Sequence, residues 1–190
     1  MDQLDVLRFA IDALERSNFP YALVGAFASF AYGEPRFTRD IDFVVKLEPR
    51  DVALLVAAFP EPDFEMSETV VQESVRRGEK FSVIHPTSGN KIDFIPTRND
   101  AWGRGQVERR VRLKLIPDRE AFVASPDDVI VGKPLYFAEG GSEKHLRDIA
   151  GILKVSPERV DRAEVTRWAT ELGVVETWKR VVAAVDAPRS

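Results

Sequence analysis

The 190-residue chain has no cysteine at all, and only two histidines and two methionines. Without cysteine there is no disulfide framework, no thiolate nucleophile and no cysteine-based zinc site, and a reducing, cytoplasmic setting fits. His85 and His145 fall at a strand end and within a helical stretch, where ordinary surface or capping roles are expected. No apolar run approaches the roughly 20 residues needed to cross a bilayer, so no membrane partner is expected. The opening stretch MDQLDVLRFAIDALERSNF carries acids throughout and no cleavable apolar core, and reads as a helix rather than a leader. Neither charge sign dominates: 27 Lys and Arg against 31 Asp and Glu leave a net charge of −4, which argues against a surface devoted to nucleic acid. A local basic patch remains open.

What is present is an ordinary globular composition, 44% hydrophobic and 31% charged, enough for one packed domain with a helical annex. Residues 2–17 alternate apolar and charged positions at helical spacing and stop before Pro20. Tyr21 to Val24 reads as a short buried strand, and Ala26 to Tyr32 as a compact helix opening at Gly25. Ile41 to Leu47 reads as the next strand, 51–59 as a short helix, and Ser67 to Arg77 as a helix capped by Ser67 and stopped by Gly78. Lys80 to His85 and Lys91 to Ile95 form two strands around the turn Pro-Thr-Ser-Gly-Asn. A helix is expected over 99–110, then strands over 111–116 and 120–123. Four helices follow, over 126–138, 142–153, 157–172 and 174–185, with a break or kink at Pro134. The expected class is α/β (α+β), a mixed sheet flanked by helices: a core over 1–123 and a helical C-terminal region over 124–190 packed on it.

One stretch carries chemistry. Asp40 and Asp42 stand two apart at the mouth of a strand, so both side chains share a face, roughly 7 Å apart along the chain. Two like charges beside an apolar core are costly unless a cation neutralises them. Asp93 is a third acid, on a strand where Ile92 and Phe94 should point into the core. If that strand pairs beside the first, three carboxylates gather on one sheet edge. Such a cluster suits two magnesium ions clamping the oxygens of a phosphoryl displacement. Gly25, at a strand-to-helix junction, lets backbone N–H groups approach a triphosphate, and Arg36 and Arg39 would neutralise it further.

Gly25-Ala26, Tyr32-Gly33, Arg36, Thr38, Asp40-x-Asp42 and the later Asp93 resemble the DNA polymerase β-type nucleotidyltransferase superfamily over roughly residues 21–150. Within it, the chain looks most similar to small bacterial nucleotidyltransferases of the AbiEii type, the toxins of abortive-infection systems. The resemblance implies a nucleotidyltransferase-type sheet, two Mg2+ ions (or Mn2+) on Asp40 and Asp42, and Asp93 as the third ligand that helps activate the acceptor. It implies a triphosphate on the Gly25-Ala26 turn. Asp128 to Lys133 fits that branch's D-x4-K spacing, and Lys144 with Asp148 matches part of its terminal motif. Lys133 would be a point charge on the triphosphate, against a bland reading as a surface lysine. Ala26 departs from the pattern, standing where the family has Gly or Ser. Ser29, one turn on, is either a substitute hydroxyl or a small packing residue. His145 replaces an acid and Gly140 an arginine.

The expected activity is metal-dependent transfer of a nucleoside monophosphate from an NTP to an acceptor hydroxyl on tRNA, protein or a small molecule, with release of pyrophosphate. The alternative is a non-catalytic nucleotide- or partner-binding member of a toxin–antitoxin pair, with a cognate antitoxin or toxin as partner. Arg104, Arg109, Arg110, Arg112 and Lys114 are either a solvated face or a grip for a polyanion such as tRNA. Trp168, Trp178, Phe27, Phe30 and Phe37 read first as core, and the three phenylalanines second as surfaces for stacking a base.

Overall fold

The computed structural model describes residues 1–188, apart from the side chain of Glu139. Its chain forms two compact units: Met1–Val24 with Phe37–Ala124, and Gly25–Arg36 with the residues from Ser125 onward.

The first unit opens with α1 (Gln3–Arg16), capped by Asp2, whose side chain accepts from the backbone of Asp5 while Asp5 returns the bond. Its buried stripe is Val6, Leu7, Ala10, Ile11 and Leu14. The strands are β1 (Tyr21–Leu23), β2 (Asp40–Val45), β3 (Phe81–His85), β4 (Asn90–Pro96), β5 (Val111–Ile116) and β6 (Arg119–Val123). They make one mixed sheet in the order β3-β4-β2-β1-β6-β5. The expected mixed α/β sheet is therefore present. Its central feature is the parallel pairing of β2 with β4, Asp40 opposite Lys91 and Asp42 opposite Asp93. Parallel neighbours require a long crossover, and here α3 (Val52–Ala58), α4 (Glu68–Arg77) and β3 fill it.

Period-two alternation divides β2 and β4 into faces. Ile41, Phe43, Ile92 and Phe94 are fully buried, and Phe43 and Phe94 stack at 5.8 Å. Phe59 meets Phe94 edge-on, and Phe64 closes the cluster against Phe59 and Phe9. The opposite face carries Asp40, Asp42, Lys91 and Asp93. Ser67 caps α4 and Gly78 ends it in the left-handed conformation, as expected. The helix expected over 99–110 is shorter, α5 (Ala101–Gln106), started by the Asp100 side chain on the Gly103 N–H.

The second unit comprises α2 (Gly25–Tyr32), α6 (Pro126–Gly140), α7 (Lys144–Val155), α8 (Arg162–Glu171) and α9 (Val175–Asp186). A division at residue 123 would leave α2 with the sheet, whereas it belongs with the C-terminal helices. Gly33 shows why. A Cβ there would lie 2.9 Å from the backbone nitrogen of Ile152, so only glycine permits so close an approach to α7. α6 runs through Pro134 as one helix rather than breaking. A proline costs about 3 kcal/mol in a helix interior, and the buried face of Val129, Ile130 and Val131 offsets it. The helix expected over 157–172 is divided instead: a 3-10 turn at Pro157–Arg159, an extended Val160, and a fresh start where the Asp161 side chain caps α8. Trp168 and Trp178 are buried, as expected.

Candidate active site

In the first unit the carboxylates are set by strand register. Asp40 and Asp42 lie on the non-core face of β2, with Lys91 and Asp93 at the matching positions of β4. Neighbouring strands run about 4.8 Å apart, so the four side chains mark the corners of a small square. Thr38 secures its entrance, its hydroxyl accepting from the Asp40 N–H at 3.2 Å. Asp93 is 2% exposed and heavily partnered. The Ser82 hydroxyl donates to it at 2.6 Å, from the register-opposed position on β3. Lys80 and Lys91 each reach its Oδ2 at 3.0 Å. Burial alone would push the Asp93 carboxyl up, but Ser82 and the two ammonium groups outweigh it and hold the carboxyl below its ordinary value. Lys91 is also 3.7 Å from Asp40. Burial works against its charge, yet Asp93, Asp40 and Asp42 raise its pKa on balance.

This bears on the expected magnesium. The donors are carboxylate oxygens, the hard ligands that magnesium takes, and in kind they fit the ion. As they stand, however, no three carboxylate or imidazole side chains among the described residues are gathered closely enough to hold a metal. The charge of Asp93 is met by ammonium instead. Sequence reasoning missed Lys80, Ser82 and Lys91. A signal existed in the Lys-x-Asp spacing of β4 beside the Asp-x-Asp of β2, but only the parallel register gives it meaning.

In the second unit, Gly25 opens α2 with φ +65°, a conformation that favours glycine. Helix geometry leaves the first-turn N–H groups without intrahelical acceptors. The Gly25 carbonyl is held from two sides, by the Ser29 hydroxyl at 2.9 Å and the Lys133 ammonium at 3.1 Å. In a trans peptide the C=O and the following N–H point opposite ways, so pinning the Gly25 carbonyl fixes the direction of the Ala26 N–H. Ser29 and Lys133 are both 2% exposed, and both act on the turn from beneath. Lys133 also meets Asp148 at 2.6 Å. Arg36 grips the same carboxylate with two donors, at 2.8 and 3.1 Å. Burial pushes the Asp148 carboxyl up, but Arg36 and Lys133 bring it below its ordinary value. His145 lies close by on α7. Burial first, then the charges of Lys133 and Lys144, lower its pKa to about 4.

Arg39 is exposed. Phe37, expected in the core, is instead 82% exposed, while Phe27 is buried as anticipated. Within the basic run, Arg112 pairs with Glu120 at 2.9 Å. Arg104 and Arg109 donate to nearby backbone carbonyls, and Arg110 lies over the Phe122 ring. Lys114 is exposed.

No protein-family model matches the sequence, and no curated protein does. Solved structures do. The chain superposes on the antibiotic-resistance factor ANT(2'')-Ia with a TM-score of 0.57 at 16% identity, over 95% of this chain and 99% of that one. A nucleotidyltransferase-like antigenic protein from Paracoccidioides brasiliensis gives 0.56 at 21% identity, over 98% and 94%. JHP933 from Helicobacter pylori gives 0.52 at 13%, over 96% and 80%. The fold is that of the nucleotidyltransferases. The superposition spans nearly the whole chain, so the resemblance in fold is not confined to the stretch around Asp40 and Asp42.

Proposed function

We propose that this chain is a nucleotidyltransferase that moves a nucleoside monophosphate from an NTP to an acceptor hydroxyl, releasing pyrophosphate. The observation that carries the reading is the parallel register of β2 and β4, which sets Asp40 and Asp42 beside Asp93 on one face of a nucleotidyltransferase-type sheet. A divalent ion, Mg2+ or Mn2+, held by Asp40 and Asp42 with Asp93 as third ligand, would supply Lewis-acid activation of the phosphoryl oxygens. Asp93, kept ionised by its partners, is a weak base, and would take the proton that the acceptor hydroxyl gives up as its oxygen attacks the α-phosphorus in line. The Gly25-Ala26 turn would receive the triphosphate through backbone N–H groups and the helix dipole.

Lys133 and Ser29 then serve by orienting that turn rather than by touching phosphate, which is how an alanine is tolerated at position 26. Arg36 likewise acts through Asp148, and the exposed Arg39 would neutralise phosphate. Exposed Phe37 offers a ring for stacking a base. Kinship with the AbiEii branch rests on Lys133 and Asp148, the two motif residues that meet at 2.6 Å.

The test is incubation with Mg2+ and each α-labelled NTP, supplying tRNA, protein and hydroxyl-bearing small molecules such as antibiotics as acceptors. Label transfer to one acceptor is expected, and Asp42→Asn should lower it by about a thousandfold, the several kcal/mol of a lost metal ligand. Absence of NTP binding with magnesium present would sink the enzyme reading. Nucleotide binding with no transfer to any acceptor would favour a regulatory member of a toxin–antitoxin pair, a reading to which the ammonium-held Asp93 lends weight.

A further inference from the structure

Three corners of the β2–β4 square are carboxylates, and the fourth is a lysine. Lys91 is not a chance surface contact, because backbone register fixes its position. It stands directly across from Asp40 and two residues before Asp93, on the same face as both. Its ammonium lies 3.0 Å from Asp93 and 3.7 Å from Asp40, so one positive charge bridges two strands. Lys80 reaches Asp93 only, from the start of β3 and with a side chain 54% exposed. A divalent ion that takes Asp93 as a ligand between β2 and β4 would compete with Lys91 for the same carboxylate, whose other oxygen accepts from Ser82. Both cations cannot take it at once, since like charges at that separation repel strongly when screened only in part by water.

We propose that Lys91 is a built-in competitor for the divalent cation, holding Asp40 and Asp93 together until a nucleotide arrives. The inference rests on the reading of Asp40, Asp42 and Asp93 as metal ligands. A triphosphate brings two things at once: its own coordinating oxygens for the metal, and a new anionic partner for the displaced ammonium. Metal loading and nucleotide binding are thereby coupled. Free metal binds weakly, and the metal–nucleotide complex binds well. Lys91 is a positioning residue in this scheme, acting through the carboxylates.

The test is Mn2+ binding to the full chain, followed by the loss of the free-ion electron paramagnetic resonance signal, without and with a non-hydrolysable ATP analogue. Without nucleotide, Lys91→Met should bind Mn2+ at least about tenfold more tightly than the wild type, since a competing charge is gone. Lys91→Arg, which keeps the charge, should stay within about threefold of wild type. Lys80→Met should gain less than Lys91→Met. With the analogue, the gap between Lys91→Met and wild type should narrow. Should Lys91→Met fail to fold by circular dichroism, Lys91→Gln reports the same quantity. Unchanged affinity in the Lys91 variants, with Asp42→Asn abolishing Mn2+ binding, would overturn the proposal while leaving the metal reading intact. A gain in Lys80→Met equal to that in Lys91→Met would overturn the bridging role. No Mn2+ binding by any form, with or without nucleotide, would overturn the metal reading itself.

Discussion

Each unit holds a lysine–aspartate cluster of nearly the same composition, in opposite surroundings. In the helical unit, Lys133 and Asp148 are both 3% exposed, with Arg36 as a second cation on the carboxylate. In the sheet unit, Asp93 is equally buried, but Lys91 is 38% and Lys80 54% exposed. A buried pair cannot release one partner without stranding a charge away from water, so it behaves as part of the framework. A buried acid whose cations reach it from solvent can exchange them at modest cost. Burial of the cation, rather than the presence of a salt bridge, separates the two clusters.

Removing one partner from each cluster should expose that difference most. Asp148→Ala leaves Lys133 buried without its carboxylate, and should cost about 3–5 kcal/mol of stability, read from urea denaturation. Asp93→Ala releases lysines that can turn to water, and should cost about 1–2 kcal/mol, mostly from packing and the lost Ser82 bond. Equal losses would mean that the two clusters do the same job.

Acid offers a smaller and more selective probe of the helical unit. The folded-state pKa of His145, about 4, lies below the ordinary value near 6.5. The folded protein resists protonating this ring, so the stability it contributes is complete above about pH 6.5 and is lost as the pH falls toward 4. Asp127 runs the other way. Burial chiefly, helped by Asp161 and Asp128 and opposed by its bond from the Asp161 backbone, pushes it up to about 6. Its folded form takes up a proton first, so stability rises as the pH falls from about 6 toward 4. His145→Gln should therefore remove a loss of about 1–2 kcal/mol over this range, allowing for solvent screening of a half-buried ring. Urea midpoints at pH 7 and pH 4.5 would reveal it. An identical pH dependence in the variant would show that His145 is not held neutral.

The smallest effect belongs to an exposed pair with good geometry. Arg162 and Asp186 meet through two hydrogen bonds at 2.7 and 3.1 Å on the surface. Asp186→Ala should leave the urea midpoint unchanged within error, because water and salt screen such pairs. A measurable loss would mean that exposure is a poor guide to the cost of breaking a pair in this protein.

Much of this was legible in the residues. Caps at Ser67 and Ser125, the stop at Gly78, and the hairpin around Gly89 depend on chemistry within a few positions, where a side chain and its backbone partner are close whatever the rest of the chain does. The alternation of Ile41, Phe43, Ile92 and Phe94 told which faces are buried for the same reason. Phe37 misled because its environment is supplied by distant segments, and of the two outcomes expected at Pro134 the break does not occur. Packing of Val129 to Val131 carries a helix through the proline, and no local signal told that the phenylalanine stays outside.

By itself, then, the sequence determined most of the elements, their buried faces, and a pair of acids two apart on one face of a strand. The tertiary structure alone decided three things. It set β4 parallel to β2 in the register that brings Asp93 opposite Asp42 and Lys91 opposite Asp40. It joined α2 to helices more than 90 residues later, through the approach that Gly33 permits. It also turned Lys133 inward onto the Gly25 carbonyl. Strand pairing and burial are set by the summed packing of the whole chain, and a shift of β4 by one residue would have moved Lys91 and Asp93 to the face opposite Asp40 and Asp42.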